Sequence, residues 1–171
     1  AWGFDAEQMC VDPYVGAYHS VITSAAKLVA AGCDYHTAYP PFQEYFERLN
    51  DDPKRWGKPA AALLGSITAQ IGYKTPSIGG KDSMSGSFNE LDVPPTLVSF
   101  AVGMTEASKT GSALFSKAGS KVVMLNLPVC EGSGLPEYDR AMALLMKVYE
   151  GVRSKRVLSA SGVKEGGSAA C

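Results

Sequence analysis

The sequence is 171 residues long, enough for one ordinary domain or two small ones with a buried core. Hydrophobic residues make up 46% of the chain and charged residues 19%, which is typical of packed proteins and excludes disordered and fibrous classes. The 16 basic and 17 acidic residues form no basic cluster, so we expect neither DNA nor RNA as a partner.

The lengths of the apolar stretches and the positions of the cysteines indicate the compartment in which we expect the protein. No apolar stretch approaches the roughly 20 residues of a membrane-spanning helix, so we expect no membrane partner. The four cysteines, Cys10, Cys33, Cys130 and Cys171, are far apart and lack the paired spacing of a zinc site. We interpret them as free thiols and predict a cytoplasmic protein.

Three helices are predicted in the first half of the chain. Asp12-Pro13 is a favourable helix start, and an apolar stripe at three- and four-residue steps predicts a helix over residues 13–31. A shorter stripe after Pro40-Pro41 predicts a second helix over residues 42–49. A third helix is predicted from Pro59, with its apolar face covering a sheet. That face consists of Leu63, Leu64, Ile67 and Ile71.

Two apolar runs farther along the chain predict strands, at residues 96–102 and 121–127. The stretch 105–119 between them is rich in Ser, Thr, Gly and Ala, so we interpret it as the boundary between two subdomains, residues 1–105 and 106–171. A last helix is predicted over residues 137–152. The mixture of helices and strands indicates an α/β fold.

The stretch GGKDSMSGS, residues 79–87, is dense in the groups that phosphate chemistry requires. Paired glycines permit a sharp turn that presents backbone N–H groups to an anion. The lysine would add positive charge, the serines would donate hydroxyl hydrogen bonds, and the aspartate could hold magnesium through oxygen. The candidate ligand-binding residues are Gly79, Gly80, Lys81, Asp82, Ser83 and Ser85, with Asp82 also the candidate metal ligand.

The spacing within this stretch matches neither of the common phosphate motifs. The Walker loop requires glycine and a hydroxyl residue at the positions that Thr75 and Asp82 occupy here, and the dinucleotide fingerprint fails as well. A glycine-rich surface turn with a charged tip would have the same composition. Local chemistry therefore leaves an anion site and a surface turn as equal alternatives.

A resemblance favours the anion site. The stretch GGKDSMSGSF, followed by LDVPPTLVSFAV at residues 91–102, resembles the corresponding segment of large-type phosphoribosylformylglycinamidine synthases. The similarity continues upstream through residues 28–32, 42–46 and 56–59 and covers nearly the whole chain. It implies an α/β fold in which residues 1–105 are the latter part of an aminoimidazole ribonucleotide synthetase-like N-terminal subdomain. Residues 106–171 would then begin the C-terminal α/β subdomain.

The resemblance also implies an activity. The family uses ATP to phosphorylate formylglycinamide ribonucleotide, and ammonia from glutamine then displaces the phosphate, in purine biosynthesis. We therefore expect ATP and Mg²⁺ as cofactors, a nucleotide and a ribonucleotide as ligands, and further synthetase and glutaminase domains as partners. The chain alone should be inactive, and no residue is assigned a catalytic role. A non-catalytic nucleotide-binding scaffold and another ATP-using member of the superfamily remain as alternatives.

Three positions depart from the family pattern. Many members carry a glutamate and an asparagine on the helix predicted over residues 13–31, and an aspartate before a later glycine turn, which help to hold magnesium at an auxiliary nucleotide. Thr23, Lys27 and Gly162 occupy these positions here. We expect the auxiliary site to be altered or empty, with Lys27 partly replacing the charge of the metal, unless the alignment of this helix is displaced by one turn.

Overall fold

The computed structural model describes residues 1–163 and 166–169, which divide into two compact units. The first unit consists of Ala1–Ala25 and Ala38–Val102, and the second of Ala26–Thr37 with the chain from Gly103 onward. The assignment of residues 1–105 and 106–171 to the two family subdomains stays a prediction. Among the described residues, no helix combines the length and the hydropathy that a membrane span needs.

The first unit contains a four-stranded mixed sheet and a small hairpin. The strands are β1 (Trp2–Gly3), β2 (Pro41–Tyr45), β3 (Gly79–Ser83), β4 (Ser87–Phe88), β5 (Leu91–Asp92) and β6 (Thr96–Phe100). The strand at one edge of the sheet, β3, pairs in parallel with its neighbour β2, which pairs antiparallel with β6 on its other side. The strand β1 pairs antiparallel with β6 and forms the opposite edge, and the hairpin of β4 and β5 follows β3.

Three helices accompany this sheet, and each begins at a capping aspartate. The carboxylate of Asp12 accepts the N–H of Tyr14 at 2.9 Å. The carboxylate of Asp5 accepts the N–H of Gln8 at 2.8 Å, and that of Asp52 accepts the N–H of Lys54 at 2.9 Å. The helices are α1 (Ala6–Val11), α2 (Pro13–Ala30) and α3 (Pro53–Tyr73). The helix predicted over residues 13–31 is thus confirmed as α2, whereas α3 begins at Pro53 rather than at the predicted Pro59.

The core of the first unit joins helices to the sheet. It consists of Met9, Ala17, Phe46, Leu49, Ala62 and Leu97. The face predicted to bury on α3 is wrong, because Leu63, Leu64, Ile67 and Ile71 are 38% to 73% exposed. The opposite face, which carries Ala62, Gly65 and Ala69, is buried instead. A Cβ atom at Gly65 would collide with the backbone of Tyr14 on α2, so the close approach of these helices accepts only glycine at this position.

The helix predicted over residues 42–49 is also wrong, because its first part is the strand β2. Phe42 and Phe46 recur at spacings that fit a helix, but they also alternate with the period of a strand. Pro40 and Pro41 favour an extended backbone at the start of this segment. The segment forms a strand because it lies between β3 and β6, which hydrogen-bond to its backbone on both sides.

The second unit confirms the last predicted helix and corrects the last predicted strand. The helix α4 (Tyr138–Arg153) buries Ala141, Leu145 and Val152. Residues 121–127 form no strand, and Val122–Leu125 are 53% to 75% exposed. Within the described part of this unit the strand-type pairing is an isolated bridge between Val129 and Pro136, so the apolar run has no strand to pair with.

The cysteines of the described residues agree with their interpretation as thiols. Cys10, Cys33 and Cys130 are free, with Cys33 buried and the other two exposed. Cys171 lies outside the described residues.

Candidate functional site

The candidate ligand-binding stretch begins as an edge strand. Gly79–Ser83 form β3, which runs parallel to β2 with Gly79 opposite Pro41 and Ser83 opposite Tyr45. The sharp turn predicted for this stretch is therefore wrong, and the residues from Gly79 to Asp82 are exposed. Because β3 lies at the edge, alternate backbone N–H groups point away from the sheet. An anion lying along this strand edge could reach these N–H donors, which lie on a strand rather than within a turn.

The two glycines at the start of β3 each have a structural reason. Gly79 has a φ of +136°, a conformation that other residues rarely adopt. A Cβ atom at Gly80 would collide with the carbonyl oxygen of Phe42 on β2. The hydroxyl of Ser77 holds the entry to the strand, since it donates to the Gly79 carbonyl at 3.0 Å and accepts its N–H at 3.2 Å. The glycine pair thus permits β3 to join the sheet.

Lys81 and Ser83 lie on one face of β3, because residues two apart on a strand point the same way. The Lys81 ammonium donates to the Ser83 hydroxyl at 3.1 Å and to the carbonyl oxygen of Asp82 at 3.0 Å. On β2, the side-chain amide of Gln43 donates to the Lys81 carbonyl at 2.8 Å. The ammonium is exposed and these acceptors are neutral, so they leave its positive charge available to an anion.

Asp82 points to the opposite face, where it meets a buried carboxyl group. Glu44 is only 6% exposed and is the register partner of Asp82 across β2 and β3. The two carboxyl groups are hydrogen-bonded, and burial, followed by the negative charge of Asp82, raises the pKa of Glu44 to about 7. At neutral pH, Glu44 therefore carries a proton part of the time.

The structure brings some of the predicted site residues together and separates others. Lys81 and Ser83 share one face of β3, Asp82 lies on the other, and Ser85 is exposed beyond the end of the strand. A ligand lying above either face would meet only part of this set. A ligand along the outer edge of β3 is the arrangement that can reach the backbone N–H groups together with Lys81 and Asp82.

The exposed carboxyl group of Asp82 is a hard oxygen donor, which is the chemistry that Mg²⁺ prefers. Among residues 1–163 and 166–169, no three His, Cys, Asp or Glu side chains are grouped to hold a metal. Asp82 therefore fits an ion that takes its remaining ligands from phosphate oxygens and water, as Mg²⁺ commonly does.

A second buried acid, also missed by the sequence analysis, lies just beyond β2. Glu47 is 1% exposed, and its Oε1 accepts a hydrogen bond from the Lys58 ammonium at 2.5 Å. Its Oε2 has no partner among the described residues. The preceding Phe46 is hydrogen-bonded to the candidate stretch through its N–H, which the Ser83 carbonyl accepts at 2.8 Å. Glu47 thus follows directly after the residue whose backbone is hydrogen-bonded to the end of β3.

A strand interpretation of residues 42–46 would have identified Glu44. In a strand, Phe42, Glu44 and Phe46 share one face, so a carboxyl group stands between two aromatic core residues. The helical interpretation of this segment rested on its apolar residues and gave Glu44 no role.

Comparison with known proteins rests on solved structures. No family model matches the chain, and no curated protein matches it either. PurL of T. maritima complexed with ATP superposes with a TM-score of 0.64 at 16% identity, over 90% of this chain and 24% of that one. The same protein complexed with FGAR gives a TM-score of 0.63 at 17% identity, over 90% and 23%. Phosphoribosylformylglycinamidine synthase II from Thermotoga maritima gives 0.62 at 17%, over 90% and 24%.

The chain has the PurL fold. The resemblance read from the sequence, including the α/β synthetase-like architecture, is confirmed at the level of the fold. The chain spans about a quarter of the length of these PurL structures, which is 24% for the ATP complex.

Two of the three positions that depart from the family pattern lie close together. A Cβ atom at Gly162 would be 3.6 Å from the Cγ atom of Lys27, within the second unit. Thr23 lies one turn before Lys27 on α2. Lys164 and Glu165, which follow Gly162, lie outside the described residues. Lys27 and Gly162 are therefore neighbours within the second unit, and the correspondence of these positions to an auxiliary nucleotide site stays a prediction.

Proposed function

We propose that the chain is part of an ATP-dependent ligase that converts formylglycinamide ribonucleotide, glutamine and ATP to formylglycinamidine ribonucleotide in purine biosynthesis. Its contribution is a phosphate-binding wall along the outer edge of β3. The observation that carries the proposal is the exposed ammonium of Lys81 beside that edge, which forms no ion pair with another described residue. The fold, shared with PurL structures determined with ATP and with FGAR, supports it.

The chemistry of phosphoryl transfer suits such a wall. Catalysis of this reaction consists mainly of positioning and of stabilising the negative charge on the phosphoryl oxygens. Here the N–H groups of the strand edge, the Lys81 ammonium and the Ser83 hydroxyl would bind phosphate oxygens. Asp82, with Glu44 behind it, would hold magnesium, which when bound neutralises part of the phosphate charge. Release of ammonia from glutamine belongs to other domains, so the chain alone should not turn over.

A second candidate function is a nucleotide scaffold without turnover. It is favoured by the contact between Lys27 and the position of Gly162, where the family pattern has ligands of magnesium. A lysine there would place a fixed positive charge beside nucleotide phosphates without a metal ion. Under this alternative, Lys27→Ala in the full-length protein would release a tightly bound nucleotide while the catalytic rate per intact enzyme stayed unchanged.

The test of the proposed function is the replacement of Lys81 by alanine. The loss of one charge-assisted hydrogen bond corresponds to about 1.5–3 kcal/mol, so affinity for ATP or for formylglycinamide ribonucleotide should fall roughly 10- to 100-fold. Calorimetric titration of the full-length protein measures both affinities. Lys54→Ala removes an exposed lysine from the first turn of α3 and serves as the matched control. Wild-type affinity of Lys81→Ala for both ligands would refute the phosphate-binding role of β3.

A further inference from the structure

Glu44 occupies a position where an acid is unfavourable unless it has a specific partner. On β6 its register neighbour is Leu97, which is fully buried, and on its own strand Phe42 packs against the same core. A carboxyl group in such surroundings is costly unless it is hydrogen-bonded, and an apolar side chain of similar size would fit more favourably. The presence of Glu44 therefore indicates a task other than packing.

The sheet register shows what that task is. The parallel pairing of β2 with β3 sets Glu44 directly beside Asp82, so the two side chains meet on the same face of the sheet. Glu44 is buried, so it does not itself face a ligand, whereas Asp82 is exposed on the edge strand. Asp82 lies between Lys81 and Ser83 in sequence, within the proposed phosphate wall.

We propose that Glu44 is a positioning residue: from the buried side of the sheet it holds the Asp82 side chain in one orientation at the phosphate-binding edge of β3. This inference rests on the proposed function and adds to it a residue that does not touch the ligand. An edge strand has partners on only one side, so its side chains gain most from a fixed contact on the neighbouring strand. Without that contact, Asp82 rotates freely and the site loses part of its preorganisation.

The experiment compares three variants of the full-length protein by calorimetric titration with ATP and with formylglycinamide ribonucleotide. Glu44→Leu removes the hydrogen bond and should weaken the affinity for at least one ligand about tenfold, which is typical of a lost hydrogen bond to a charged group. Glu44→Gln keeps a hydrogen-bond donor to Asp82 and should bind within about twofold of wild type by the same reasoning. Glu90→Gln alters an exposed acid in the β4–β5 turn and is the matched control.

Each outcome decides the inference. Wild-type affinity of Glu44→Leu overturns it, and so does a Glu44→Gln variant as weak as Glu44→Leu, because that result would mean that a charge, and not a hydrogen bond, is required. If Lys81→Ala weakens binding and Glu44→Leu does not, only the positioning role fails. If neither does, the proposed function fails as well.

Asp82→Ala provides a second arm, needed if Glu44→Leu does not fold. Because Glu44 acts through Asp82, Asp82→Ala should weaken binding at least about tenfold. Any loss that a Glu44 substitution causes in the wild-type background should be absent in the Asp82→Ala background. Wild-type affinity of Asp82→Ala would overturn the positioning role independently of Glu44.

Discussion

Two apolar runs of similar composition adopt different structures in this molecule: one forms a strand and the other does not. Thr96–Phe100 form the strand β6, with Leu97 and Ser99 fully buried, whereas residues 121–127 form no strand and their apolar side chains are exposed. The difference lies in the neighbours. The first run has β1 on one side and β2 on the other, while the second has no strand to join among the described residues of its unit. An apolar run becomes a strand only where a partner satisfies its backbone.

The largest expected effect is on the free energy of unfolding, and it compares one residue from each apolar run. Leu97→Ala should lower the free energy of unfolding by about 2–5 kcal/mol, because it leaves a cavity between sheet and helices. Val123→Ala, in the exposed run, should change it by less than about 0.5 kcal/mol. Urea denaturation of both variants measures the contrast. Equal losses would show that the exposed run is buried in solution.

The same reasoning explains how much of the fold was predictable from sequence. The helix over residues 13–31 was predictable because its apolar spacing fits only the helical period. The strand prediction at 96–102 is confirmed for Thr96–Phe100, but the similar run at 121–127 shows that apolar composition alone does not decide. The strand β2 was missed because its aromatic residues fit both periods, and only its place in the sheet decides. The buried face of α3 was missed because its packing on α2 depends on Gly65, a contact that no local pattern reveals.

The candidate site was predictable in part for a similar reason. The residues from Gly79 to Ser85 were identified by composition, and this assignment stays a prediction. Glu44 belongs to a segment distant in sequence and reaches Asp82 only through the parallel register of β2 and β3. A contact of this kind follows from topology, so no motif within either segment could have shown it.

A smaller effect is the pH dependence of stability, which should differ between Glu44 in the first unit and Glu106 in the second. The pKa of buried Glu44 is raised to about 7 from 4.5, so the folded state binds this proton more tightly than the unfolded state does. Its stabilising contribution is complete below pH 4.5 and is lost as pH rises to about 7. The shift corresponds to a loss of roughly 3 kcal/mol over that range. Exposed Glu106 in the second unit behaves oppositely, because its hydrogen bond to Lys109 lowers its pKa.

Urea denaturation between about pH 3 and pH 8, in the presence of a chelator, measures the Glu44 contribution as the difference between wild type and Glu44→Gln. We expect this difference to change sharply between pH 4.5 and about 7 and to be constant outside that window. A difference that does not vary with pH would mean that Glu44 titrates normally. Glu106→Gln should show its change only at acidic pH, below the ordinary range of a glutamate.

The smallest of the three effects compares two ion pairs. In the first unit, Lys58 pairs with Glu47, which is 1% exposed, whereas in the second unit Lys109 pairs with Glu106 at 2.6 Å on the surface. Lys58→Ala leaves a buried carboxylate without any partner among the described residues, and because Lys58 itself is partly exposed we expect a loss of about 2 kcal/mol. Lys109→Ala should lose less than about 1 kcal/mol, since solvent screens an exposed pair. Adding Glu47→Gln to Lys58→Ala removes the buried charge and should recover part of the loss. Urea denaturation of the three variants tests this order, and a Lys58→Ala variant no less stable than Lys109→Ala would show that water reaches Glu47 in solution.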